Sequence, residues 1–202
     1  MKLDMKTLLR ILSSMLLAFV ITGCSNDKNT ATSQLSEVQT DGNKITLKEW
    51  GLSFELPSSE WNNTPFRHES KPGAEVISYW RNGVVDSNGR EIVPVLGIVV
   101  VDVPENSDIV EYSAIWRMNF PTNQIDDVFT KDDELINLSY AIGYKMRYID
   151  GYAIEHTIFL LHAINETSGF QISLDSTSKV FEQFESEFLK ILKSIKFVEV
   201  DD

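Results

Sequence analysis

The chain has 202 residues, with 18 Lys and Arg against 30 Asp and Glu, a net charge of −12 at pH 7. That acidity argues against nucleic acid as a partner, because phosphate neutralisation by Lys and Arg supplies most of such affinity. It also argues against adhesion of the protein surface to anionic lipid, and a lone cysteine excludes an internal disulfide.

The front of the chain reads as an address. Lys2, Lys6 and Arg10, against Asp4, precede Ile11 to Thr22, which is apolar apart from Ser13, Ser14 and Thr22. This is the positive n-region and short apolar h-region of a secretory signal. The run is about a dozen residues, too short for a transmembrane helix of ~20. Met5-Lys6-Thr7 offers a second start with the same address. The run closes on Ile21-Thr22-Gly23-Cys24. That ending resembles the lipobox of bacterial lipoproteins: an aliphatic residue, a small one, Gly or Ala, then the cysteine that receives diacylglycerol before signal peptidase II cuts. The resemblance implies cleavage between Gly23 and Cys24, and a membrane anchor of acyl chains such as palmitate on Cys24. Each buried methylene contributes about 0.8 kcal/mol, so two or three chains hold firmly where one holds marginally. Ser25, not Asp, follows the cysteine; in a Gram-negative host this directs the protein to the outer membrane, facing the periplasm. Without residues 1–23 the chain keeps 15 bases and 29 acids, a net charge of −14.

Residues 24–44 read as the lipidated Cys and a flexible polar tether, since 25–44 hold almost no large apolar side chain. Residues 45–202, about 158 in number, are the size of one ordinary domain. Such a length needs neither disulfide nor metal to fold. There is no internal repeat.

In chain order, Ile45 to Lys48 and Leu52 to Leu56 alternate apolar with polar residues, the period of half-buried strands, linked at Trp50-Gly51. Pro57-Ser58-Ser59 ends the second, and Trp61 follows in a loop. Val76 to Trp80 is a further strand. Asp86-Ser87-Asn88-Gly89 supplies an Asn-Gly hairpin turn, and the returning arm spans Ile92 to Val103. Val95 to Val101 is apolar on both faces, which predicts a central strand covered on both sides. Ser107-Asp108 opens a helix with a polar cap. Ile109, Tyr112, Ser113, Trp116 and Phe120 share its apolar face, Trp116 among them as core, and Pro121 stops it. Gln124 to Glu134 is acidic and reads as loop. Strands at about 136–149, 152–164 and 169–175 follow, with turns at Asp150-Gly151 and Asn165 to Gly169. Ser178 to Lys196 carries Phe181, Phe184, Phe188, Ile191, Leu192 and Ile195 in one stripe, a long C-terminal helix that needs a sheet to pack on. Clustered antiparallel strands with helices laid on them make the class α+β.

Two segments carry a further resemblance. Trp50-Gly51-Leu52-Ser53-Phe54-Glu55-Leu56-Pro57, with Trp61 behind, is similar to the aromatic-Gly opening of PsbP-like domains. Phe188 to Phe197 resembles their closing helix and its Ser-hydrophobic-x-Phe exit. The resemblance covers roughly residues 45–198 and implies the PsbP/Mog-like superfamily, to which DcrB-type lipoproteins belong. It implies an antiparallel β-sheet flanked by α-helices, an α-β-α sandwich, and a binding or accessory role. Its motifs are structural and transfer no functional residue.

Candidate chemistry is thin. His156 and His162 lie six apart on one strand, about 20 Å at ~3.3 Å per residue, too far for one metal; His68 sits near Arg67 and Glu69. No zinc-type cluster is present, so no metal and no cofactor are expected. No G-x-S-x-G elbow is present either. Asp126-Asp127 and Asp132-Asp133-Glu134 offer oxygens for calcium, but the spacing is not that of an EF-hand loop, and a solvated acidic loop accounts for them. Trp50, Trp61 and Trp80 are a possible binding surface. The expectation is a lipid-anchored cell-envelope protein, not an enzyme, with a binding or accessory domain for an unidentified protein or small ligand. The alternatives are an envelope hydrolase with an unrecognised site, or a dedicated partner binder or inhibitor.

Overall fold

The computed structural model describes residues 38–71, 74–118, 120 and 124–199. Gly23 and Cys24, the expected signal and most of the expected tether lie outside the described residues, as does Pro121.

A small sheet opens and closes the domain. Its strands β1 (Val38–Asp41), β2 (Lys44–Leu47) and β3 (Leu52–Glu55) form a meander. Ile45, Leu47, Leu52 and Phe54 are buried, as their alternation predicts. Lys48–Trp50 makes one 3-10 turn that closes on Gly51, whose φ of +58° places it in the left-handed region that favours glycine.

The large sheet holds seven antiparallel strands. In chain order these are β4 (Phe66–Lys71), β5 (Ala74–Trp80), β8 (Val95–Asp102), β9 (Gln124–Phe129), β10 (Ala141–Ile149), β11 (Glu155–Asn165) and β12 (Ser168–Thr177). In space their order is β4-β5-β8-β12-β11-β10-β9. The two-residue strands β6 (Val84–Val85) and β7 (Glu91–Ile92) flank the expected hairpin turn, where Asp86 accepts the backbone N–H of Asn88 and Arg90.

The two faces of this sheet differ. One face, here the inner face, is fully covered. Helix α2 (Ser178–Ser194) buries Val180, Phe181, Phe184, Phe188, Ile191 and Leu192 against it. Phe181 packs on Phe159 of β11 at 5.3 Å between ring centroids. Beside the helix, Phe54 of the small sheet meets Tyr79 of β5 edge-on at 5.3 Å. Phe197 of β13 (Lys196–Phe197), which pairs with β3, meets Phe170 of β12 at 5.3 Å. Each such buried side chain contributes about 1.5–3 kcal/mol, so the inner face carries the core. On the outer face, helix α1 (Ile109–Met118) lies mainly over β10 and β11.

Several expectations are corrected. Gln124 to Glu134 is not simply loop: Gln124–Phe129 is edge strand β9, paired with β10 and tied by the Arg147–Asp126 ion pair. Only Phe129 of that strand is buried, so alternation was too weak to show it. Lys131–Asp133 then forms a 3-10 turn in which the Asp133 carboxylate accepts the Thr130 backbone N–H. Val38–Asp41, expected within the tether, is strand β1, paired with β2. Phe66–Lys71, read as no element, is edge strand β4. Residues 136–140 precede β10 as irregular chain, with Ile136 and Leu138 plugged into the core. The apolar run of β8 is not covered on both sides: Leu96, Ile98 and Val100 are buried, whereas Val95, Val99 and Val101 stay half-buried on the outer face. Tyr112 and Ser113 of α1 are buried, but Ile109, Trp116 and Phe120 are only half-buried, so Trp116 is not core.

Candidate functional site

Strand pairing places His156 and His162 on the outer face, as their even spacing predicts. Their surroundings give them opposite character. His162 is fully buried beneath α1. The Ser113 hydroxyl bonds His162 Nδ1 at 2.8 Å and the Tyr144 hydroxyl at 2.7 Å. The edges of the Tyr112 and Tyr144 rings close around the imidazole. Nε2 is buried without a hydrogen bond of good geometry, although Gln171 stands directly across on β12 and offsets a little of the burial. Burial pushes the imidazole down to about 4, so it is neutral near pH 7.

A serine bonded to a histidine resembles half of a hydrolytic triad, and its members lie 49 positions apart, beyond any motif. The geometry does not present a nucleophile. Ser113 is 1% exposed. Among the described residues no carboxylate hydrogen-bonds to His162. The group instead pins α1 to β10 and β11.

His156 lies near the other end of β11 and is half-buried. Its Nδ1 bonds Asp175 Oδ1 at 2.7 Å, and its Nε2 lies 3.5 Å from Asp150 Oδ2. Tyr148, across on β10, stacks on the imidazole at 5.0 Å and donates its hydroxyl to the second oxygen of Asp175. Burial alone would lower the pKa of His156, but the bond and charge of Asp175, then of Asp150, outweigh it and raise the pKa above the ordinary histidine value. Asp150 in turn accepts the N–H groups of Tyr152 and Ile154, which closes the β10–β11 turn. The Phe120 ring, just after α1, meets Tyr148 edge-on at 5.5 Å. The cluster therefore ties the turn, β12 and the end of α1 together.

The three tryptophans do not form one surface. Trp61 is 4% exposed; its indole N–H donates to Glu187 of α2, which also pairs with Arg81. Trp50 lies against the core of the small sheet with the Arg67 guanidinium 5.1 Å over its ring. Trp80 pairs with Val95, on the outer face, at 37% exposure. Two hollows are found beside the first two. One, about 10 Å³, borders Trp50 and Arg67, room for about one water. The other, about 350 Å³ and open, is lined by Asn43, Ser58, Asn62, Asn63 and Trp61 among others. Neither borders His156 or His162. His68 sits in β4. Among the described residues no group of three His, Cys, Asp or Glu is placed to hold a metal. Of the acids at 126–134, Asp126 is taken up by an ion pair and Asp133 by a turn cap.

No protein-family model matches the sequence, and no curated protein sequence matches it. Solved structures do. The solution structure of cyanobacterial PsbP (CyanoP) from Synechocystis sp. PCC 6803 is 10% identical, with 88% of this chain and 99% of that one covered and a TM-score of 0.50. LpqN, described as involved in cell envelope biogenesis of Mycobacterium tuberculosis, is 13% identical over 73% of this chain and 84% of its own, at a TM-score of 0.49. A protein from Bacteroides thetaiotaomicron VPI-5482 is 11% identical over 75% of this chain, at a TM-score of 0.43; the chain spans 46% of that protein's length. The domain is thus an α+β domain with a PsbP-like fold, in which one helix and a small sheet cover the inner face and one helix crosses the outer.

Proposed function

We propose that the chain is an exported lipoprotein, held at a membrane by lipid on Cys24, whose PsbP-like domain is a binding or accessory module and not a catalyst. The observation that carries this reading is the lipobox-like Ile21-Thr22-Gly23-Cys24 at the end of a short apolar run, with the chain's sole cysteine at the modified position. In a Gram-negative host Ser25 places it on the outer membrane, facing the periplasm. The folded part supports the reading in two ways. Its most reactive-looking groups, Ser113 with His162 and His156 with Asp175, bond to one another and fasten α1 and the β10–β11 turn. Its anchor cannot be a described helix, since no helix among the described residues is long and apolar enough to cross a membrane. Thirteen residues lie between Cys24 and the start of β1. At ~3.3–3.6 Å per residue the domain works within about 50 Å of the bilayer.

Cys24→Ser is the direct test. The expected outcome is loss of the acyl mass and release from the membrane fraction. Membrane attachment that survives the substitution overturns the proposal.

A further inference from the structure

The outer face carries more exposed apolar surface than a solvated face needs. Helix α1 is the clearest case. A surface helix normally turns a polar side outward. Yet Val110, Ala114 and Met118, one turn apart in succession, all face away from the sheet, with Val110 62% and Met118 72% exposed. A second apolar stretch lies on the open strands beyond α1. The Tyr112 ring lies so close to Gly169 of β12 that an added Cβ would come within 2.7 Å of it. Gly169 pairs with Val101 of β8, and Val101 with Ala74 of β5. Further along the same face lie the half-buried Val99 and Val95, then Trp80. Exposed apolar surface on one side of a domain, here the α1 ridge and the open end of β8 with Trp80, marks an interaction site.

The charge around the face indicates the occupant. Glu105, Asp108 and Glu111 lead into α1, all exposed, with no base between them before Arg117. Among the described residues none of the three is in an ion pair. Such a frame attracts cations and repels anionic headgroups and acidic chains. We propose that this face docks a protein segment whose apolar side chains are set among Lys and Arg. The inference rests on the binding-module reading above. Trp80 and Met118 supply the buried anchors of the contact, and the acids supply steering and register.

The test uses the full chain in its own membrane, with a photo-crosslinking amino acid placed singly at positions 80, 110 and 118. Positions 182 and 190, on the outward side of α2, serve as controls. The expected product from the outer face, and not from α2, is an adduct with one protein through a segment rich in Lys, Arg and apolar residues. Its yield falls at least five-fold when Glu105→Gln and Glu111→Gln are combined, and is unchanged by Asp132→Asn with Glu134→Gln. An adduct to lipid, to a second copy of the chain or to an acidic segment overturns the proposal. So do equal adducts from α2, no adduct at all, or a yield indifferent to the two neutralisations. Membrane fractionation of the same cells reads the anchor separately, so loss of the docking face and loss of the anchor are distinguishable.

Discussion

Acid should destabilise this domain through His162. In the folded chain burial holds its pKa down at about 4, while in the unfolded chain it titrates near the usual ~6.5. Between those values the unfolded state binds the extra proton. Stability therefore rises with pH across the window and is lost as pH falls through it. At pH 5 the linkage amounts to about 2 kcal/mol relative to pH 8, and by pH 3 it approaches about 3 kcal/mol. His162→Asn is the informative perturbation, because the Asn amide can occupy the Nδ1 position and keep the bond to Ser113. The variant is less stable throughout because it leaves a small void, but the His162 part of its acid slope disappears. Urea denaturation at pH 5 and pH 7 measures the difference. Equal changes in wild type and variant, or an NMR titration of His162 near 6.5, would refute the burial argument.

His156 obeys the opposite sign: its pKa is raised in the fold, so it contributes stability that is complete below ~6.5 and lost as pH rises through its folded value. Asp175→Asn removes the larger of the two carboxylate influences that raise it, lowers the pKa of His156 in an NMR titration, and costs more stability at pH 6 than at pH 9. Gly143→Ala should be among the most damaging single methyl additions, because the new Cβ would lie 2.0 Å from the Phe129 ring on the neighbouring strand. Overpacking of that kind costs about 1–3 kcal/mol or more, visible as a lower thermal midpoint, whereas Gly151→Ala, which meets nothing within 4 Å, should be nearly neutral.

Elements with a clear apolar period were legible in the sequence, and so were β11 and β12, which their turns mark although β11 is buried on both faces. The phenylalanine stripe of α2 and the alternation of β2 and β3 each report a single apolar neighbour, so period alone identified them. The edge strands were hidden for the converse reason. Phe66–Lys71 and Gln124–Phe129 owe their strand conformation to pairing with β5 and β10, and their side chains are mostly charged or exposed. Charged edges discourage further pairing, and the same charges erase the apolar signal. Of the site, the shared face of His156 and His162 followed from even spacing along one strand. Their different fates did not, because Asp175, Gln171 and Ser113 arrive from other elements.

Strand β8 shows why an apolar run on both faces predicted the wrong surroundings, and it offers an internal test. The run Val95 to Val101 suits either a strand buried twice or a strand buried once that presents its other side to a partner; composition is the same in both cases. Its neighbours decide between them. On the outer face β12 presents Gln171, Ser173 and Asp175 beside Val99, Gly97 and Val95. A helix packed there would bury those polar groups, at about 1–3 kcal/mol for each left unbonded. The isolated domain therefore folds on the inner face of β8 alone. Val99→Thr should cost under about 1 kcal/mol, since the shape is kept and the site is half-solvated. Ile98→Thr, one residue away and 0% exposed, should cost about 2–4 kcal/mol by leaving a void and a buried hydroxyl. Equal losses in chemical denaturation would mean that the outer valines belong to the core, and the reading of that face as an interaction surface would fall with them.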